Sequence, residues 1–125
     1  MNKNFSICLI DYGVNNFNSI SKSLDKLDVK YDIITQGRDI SAYSHIIFPG
    51  VGSFQEGAKR LIGTRLKKYI VDAVLNGSNI LGICLGMQLL FEESEEFNLG
   101  SSEKGLELLK GKCVQLNKDI SRNIY

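Results

Sequence analysis

The 125 residues hold one histidine, one proline and no tryptophan. A lone histidine, His45, and three cysteines without a C-x-x-C pair leave no basis for a zinc site. No metal or cofactor is expected. The cysteines are Cys8, Cys84 and Cys113, an odd and widely spaced set. That argues against a disulfide framework and for a reducing compartment, so a cytoplasmic location is expected. No apolar stretch approaches the ~20 residues of a membrane span. Met1 to Asn4 leads straight into a strand pattern, with no secretion signal. An excess of one charge is missing as well. Fifteen basic and 14 acidic side chains give a net charge of +1, which offers no electrostatic case for nucleic acid or a membrane surface. There is no internal repeat, low-complexity tract or interdomain linker.

What is present is an ordinary globular composition, 43% hydrophobic and 23% charged, at a length suited to one domain. Phe5 to Tyr12 reads as a buried strand, and Gly13 ends it. Phe17, Ile20, Leu24 and Leu27 recur at helical spacing, which predicts a helix over about 16–28, with Asn15 or Asn16 as N-cap. Val29 to Thr35 alternates like a strand. His45 to Phe48 is a compact apolar strand that runs into Pro49-Gly50-Val51-Gly52-Ser53-Phe54. Gly50 and Gly52 permit unusual backbone angles there, so that N–H groups can point into a cleft. Two helical patterns follow, one from Phe54 and one over Leu66 to Leu75, stopped by Asn76-Gly77. Asn79 to Cys84 is the next strand, followed by a helix to about Glu95. Phe97 to Gly105 is a polar loop, and Leu106 to Leu116 holds one or two short strands around Gly111. This order predicts an α/β fold, an open, mostly parallel sheet with helices on both faces. Sites in such sheets lie at the carboxyl ends of the strands. That rule puts Gly13-Val14, Gly50 to Ser53 and Cys84 on one rim.

The densest signal is Asn79 to Glu96, NILGICLGMQLLFEESEE. Gly82-Ile83-Cys84-Leu85-Gly86 is G-x-C-x-G, the sulfur counterpart of the G-x-S-x-G nucleophile elbow. Small residues around the apex let strand and helix approach closely. The helix N-terminus behind Cys84 favours a thiolate and a developing oxyanion. A cysteine between apolar neighbours is more often a buried core residue, and that reading stands beside the first. Cys8 and Cys113, in strand-like runs, are read as core. Gln88 lies one turn beyond Cys84, on the same side of the helix; alternatively it is a solvated helix residue. Glu96 could meet a substrate ammonium, or it is one more member of the acidic run Glu92-Glu93-Glu95-Glu96. His45 is read as a satisfied strand-edge histidine.

Together, D-Y-G at 11–13 with Asn16 and Ser19, P-G-V-G-S-F at 49–54, G-I-C-L-G-M-Q-L-L-F-E-E-S-E-E at 82–96 and the spacing over 104–114 resemble the class I, triad-type glutamine amidotransferases. Among these they are most similar to the glutaminase subunits of imidazole glycerol phosphate synthases. The resemblance covers essentially the whole chain. It implies a flavodoxin-like domain, of which residues 1–125 would be the N-terminal part, incomplete at the C-terminus. It implies that Cys84 attacks the side-chain amide of glutamine to form a thioester. The backbone at Gly50 and Val51, with the N–H of Leu85, would hold the oxyanion. Gly52, Gln88 and Glu96 would hold the glutamine. The ammonia would pass to a (β/α)8-barrel synthase partner in histidine biosynthesis, the two forming a heterodimer.

The family's catalytic histidine and glutamate lie well C-terminal to the cysteine, and no histidine follows Cys84 here. Residues 1–125 alone are therefore expected to turn over little or no glutamine, and their sheet to expose an apolar edge. Three alternatives stay open. The same chemistry could feed amidation of a surface-polysaccharide sugar. The chain could be a catalytically dead, partner-binding domain that keeps the elbow as scaffolding. A PfpI-like protein would share the elbow cysteine, though the M-Q-L-L-F-E-E-S-E-E continuation speaks against it.

Overall fold

The apolar runs become strands; His45–Phe48 keeps its expected bounds, and the others are shorter than their sequence patterns. The computed structural model describes residues 3–14, 17–95 and 103–116. β1 (Ile7–Ile10), β2 (Asp32–Ile34), β3 (His45–Phe48) and β4 (Asn79–Gly82) form one four-stranded sheet in the order β2-β1-β3-β4, with every pair parallel. The helices are α1 (Phe17–Lys26), α2 (Phe54–Gly63), α3 (Leu66–Leu75) and α4 (Leu85–Gln88). A two-stranded parallel ribbon, β5 (Glu93–Ser94) with β6 (Lys112–Cys113), stands apart from the sheet. Asn15, Asn16 and Glu96, and most of the loop expected over 97–105, lie outside the described residues. Among the described residues no helix is long and apolar enough to cross a membrane.

The strand order gives the architecture its logic. From β1 the chain steps outward to β2, and from β3 it steps outward to β4 in the opposite direction. Right-handed crossovers taken in opposite directions put their helices on opposite faces. The order therefore switches between β1 and β3, where such sheets open a crevice. One face carries Cys8, Ile10, Ile34, Ile46 and Phe48. They share a buried cluster with Phe54, Ala58 and Leu61 of α2 and Leu66, Ile70 and Ala73 of α3. The α1 face is thinner: Ile7, Leu9 and Leu24 are buried there but stand outside that cluster.

Local chemistry sets the helix ends. The Ser53 side chain accepts from the Glu56 N–H and caps α2. The Asn76 N–H closes onto the Asp72 carbonyl, and Gly77, at φ +99°, turns the chain out of α3.

One expected element is corrected. The helix after the elbow does not run to Glu95; it ends at Gln88. Its continuation is diverted by the segment 105–109, whose N–H groups claim the next carbonyls. Leu106 N–H donates to Leu89 O at 2.6 Å and Leu109 N–H to Leu90 O at 2.9 Å. Met87-Gln88-Leu89-Leu90-Phe91 has helical spacing, but a distant backbone outcompetes the local ladder.

Candidate active site

β4 delivers the chain to Cys84, which stands exposed with φ 55° and ψ −119°. A non-glycine residue held there is strained, as nucleophile elbows are. The two glycines of G-x-C-x-G owe their places to close packing. A Cβ on Gly82 would come 2.7 Å from Met87 Cα, so α4 could not fold back over the strand end. A Cβ on Gly86 would overlap the Phe48 carbonyl oxygen. The elbow thus lies directly against the end of β3, where the Ile83 N–H donates to Phe48 O at 3.0 Å. With α4 only four residues long, its dipole is small. The favourable field expected from a long helix behind Cys84 is correspondingly weak.

The loop after β3 lies beside the elbow. Its two first glycines serve different ends. Gly52, at φ +106°, has nothing within 4 Å of a would-be Cβ, so its need is conformational. Gly50 is buried, and a side chain there would strike the Tyr12 hydroxyl and Leu85. Val51 is 44% exposed. The Leu85 N–H, expected to be an oxyanion donor, is engaged: it donates to Gly50 O at 3.2 Å. A carbonyl therefore stands where an oxyanion would need to be received. An oxyanion hole built from this loop and Leu85 is not assembled in this arrangement.

A cavity of about 450 Å³ opens next to the elbow, lined by Gly52, Gln88, Ser94, Glu95, Cys113 and their neighbours. Gly52 and Gln88 are two of the three residues that the resemblance assigns to holding glutamine; the third, Glu96, lies outside the described residues. Cys113, read as core, is half-buried in the cavity wall, its thiol 3.6 Å from the Gln88 carbonyl. The pairing of Ser94 with Cys113 in β5 and β6 brings it there; the sequence pattern announces a short strand beside Gly111 but not its partner at Glu93–Ser94. Glu95 forms a 3.1 Å ion pair with Lys112, and Glu93 one with Lys104 at 2.6 Å. Two members of the acidic run, Glu93 and Glu95, are thus paired with lysines along the rim.

Two expected bystanders are where the sequence put them. Cys8 is fully buried in β1, and burial pushes its thiol up to about 12. His45 opens β3, with Nδ1 2.7 Å from the Ser44 hydroxyl and its ring 5.2 Å from that of Phe5. It occupies the amino end of the sheet, whereas Cys84 follows the carboxyl end of β4. A strand of four residues separates those ends by roughly 10 Å, so His45 cannot serve Cys84.

A doubly wound parallel sheet with a cysteine on a positive-φ strand-to-helix turn at its carboxyl rim defines an open-sheet α/β protein. Residues 8–122 match the family model "Glutamine amidotransferase class-I", and the chain belongs to that family. It is 46% identical over 113 residues to the imidazole glycerol phosphate synthase subunit HisH of Bacillus subtilis (strain 168), spanning 90% of this chain and 52% of that one. The HisH subunit of Prochlorococcus marinus (strain MIT 9211) is 42% identical over 121 residues, 97% of this chain and 55% of that one. The chain thus spans about half the length of these curated relatives. Among solved structures, a putative peptidase E protein from Listeria monocytogenes EGD-e superposes with a TM-score of 0.60 at 15% identity, over 86% of this chain and 64% of that one. That likeness supports the fold alone.

Proposed function

We propose that this chain is the nucleophile-bearing part of a glutaminase that supplies ammonia to imidazole glycerol phosphate synthesis. The observation that carries the reading is the backbone of Cys84: a strained, exposed elbow packed against the proline-led glycine loop. In the proposed reaction the Cys84 sulfur attacks the side-chain amide carbon of glutamine. The amide oxygen takes the negative charge, the C–N bond breaks to release ammonia, and water then hydrolyses the thioester to glutamate. Gln88 and Gly52, in the cavity wall, would hold the amino-acid end of the substrate together with Glu96. The Gly50–Val51 peptide would have to rotate, moving the Gly50 carbonyl away from Leu85 and turning the Val51 N–H inward. Leu85 and Val51 then become the two oxyanion donors.

The thiol also needs a base, and the leaving amine an acid. His45 is at the wrong end of the sheet. That pair of proton transfers would come from polypeptide beyond these residues, as would the contacts to a (β/α)8-barrel synthase that receives the ammonia.

A glutamine-shaped chloromethyl ketone tests the reading. It is expected to label Cys84 much faster than iodoacetamide does, while Cys8 stays unlabelled. Equal rates for the two reagents at Cys84 would sink the glutaminase assignment. Residues 1–125 alone are expected to release ammonia from glutamine at least ~10²–10⁴-fold more slowly than a complete glutaminase. Rapid release would overturn the placement of the base outside them.

A further inference from the structure

The crevice between β1 and β3 is bridged by one buried side chain, Tyr12. Its hydroxyl donates to the Pro49 carbonyl at 2.6 Å, and its ring stacks on Phe48 with centroids 5.0 Å apart. Burial pushes the hydroxyl's pKa upward, so it remains a donor throughout the working pH range. The same oxygen occupies the space that a side chain on Gly50 would need. Pro49 O also lies 2.9 Å from where a Cβ on Gly86 would stand. The peptide that opens the glycine loop is thus held between the end of β1 and the elbow. One residue further on the hold is weaker: the Gly50 carbonyl accepts from the Leu85 N–H at 3.2 Å. Val51 is exposed.

We propose that Tyr12 is a positioning residue for the oxyanion donors. Its hydroxyl pins the loop at Pro49, so that rotation is confined to the Gly50–Val51 peptide and returns the Val51 N–H to one place beside Cys84. The inference rests on the glutaminase reading and deepens it. Tyr12 touches neither sulfur nor substrate; it acts through the loop. Without the hydroxyl the Pro49 carbonyl loses its buried partner, and the loop's first residue gains freedom that the donors inherit.

Two electrophiles separate this role from a merely structural one. Iodoacetamide loses iodide as the Cys84 sulfur forms a C–S bond, and builds no oxyanion. The glutamine-shaped chloromethyl ketone loses chloride to form its C–S bond, with a carbonyl oxygen lodged at the oxyanion position. Tyr12→Phe in the full-length protein keeps the ring stacked on Phe48. It is expected to slow chloromethyl ketone labelling of Cys84 about tenfold, less than the ~10²–10³ typical of removing a donor outright. The iodoacetamide rate is expected to stay within about twofold. A fall in both rates together, or in neither, overturns the proposal. If Tyr12→Phe does not melt cooperatively, Tyr12→Met, which keeps apolar bulk under the loop but has no hydroxyl for Pro49 O, gives the same readout. An unchanged chloromethyl ketone rate in that variant overturns the proposal equally. Should wild type itself show no preference for the glutamine-shaped reagent, the glutaminase reading fails, and Tyr12 loses its role with it. A preserved preference that Tyr12→Phe leaves intact removes the Tyr12 role alone.

Discussion

On the face of the sheet covered by α2 and α3, Ile34, Ile10, Ile46 and Phe48 are at most 1% exposed. On the α1 face, the row that runs in register from Ile33 through Leu9 and Ile47 to Leu81 behaves differently. Leu9 in the middle is fully buried, but Ile33 is 44% and Leu81 58% exposed. Parallel strands are stable when both faces are covered, and β4 also has one edge unpaired among the described residues. The difference teaches where the chain is self-sufficient. Its α2–α3 core closes around β1, β3 and the proline-led loop, while the strand that leads to Cys84 is held firmly on one side only.

Mutations can break or sharpen that contrast. The largest effect is expected at Phe54, fully buried in the closed core: Phe54→Ala should cost about 3–5 kcal/mol in urea denaturation. A loss as large from Leu81→Ala would erase the distinction between the faces. Gly86→Ala comes next. Its methyl group would overlap the Phe48 carbonyl oxygen, so about 1–3 kcal/mol or more is expected from forcing elbow and β3 apart. A melting temperature equal to wild type would show that the two are not locked together.

Alkaline pH probes the closed face without disturbing its packing. The Cys8 thiol moves from an ordinary 9.0 to about 12 on burial. Below pH 9 the thiol is protonated in both states and nothing is lost. Between pH 9 and 12 the unfolded chain releases its proton first, so stability falls, by up to about 1.4 kcal/mol per pH unit. Burial shifts Tyr12 in the same direction, and it adds its own decline above pH 10. Cys8→Ala is expected to flatten the part of the slope that begins at pH 9; an unchanged slope would mean that Cys8 is not sealed. The smallest effect is expected on the open face. Leu81→Lys should change stability by no more than about 0.5 kcal/mol, yet shift sedimentation toward the monomer, because it blunts an exposed apolar strand. Unaltered self-association would count against an adhesive open face.

Much of this was legible in the chain. Continuous apolar runs such as ICLI and HIIF have no polar side to turn outward, so they become interior strands of a parallel sheet. G-x-C-x-G marked the elbow because the demand for small residues is local to it. The nature of that demand was not legible. Gly86 is required by the Phe48 carbonyl, 38 positions earlier in sequence terms a remote partner. Gly50 and Gly52 look alike in sequence, yet one answers a steric need and the other a conformational one. Helical spacing over Met87 to Phe91 predicts a longer helix than forms, because it says nothing about the 105–109 segment that takes the Leu89, Leu90 and Phe91 carbonyls.

Residue order by itself determined which segments pair with a core, which turn sharply, and that a cysteine stands between a strand and a helical turn. These follow from side-chain polarity and backbone preference within a few residues. Only the tertiary structure decided that Tyr12 reaches Pro49, that Cys113 faces a cavity and that Leu85 gives its N–H to Gly50. Each is a hydrogen bond or a contact between distant parts of the chain, and the partner is chosen by how strands and loops come to lie side by side.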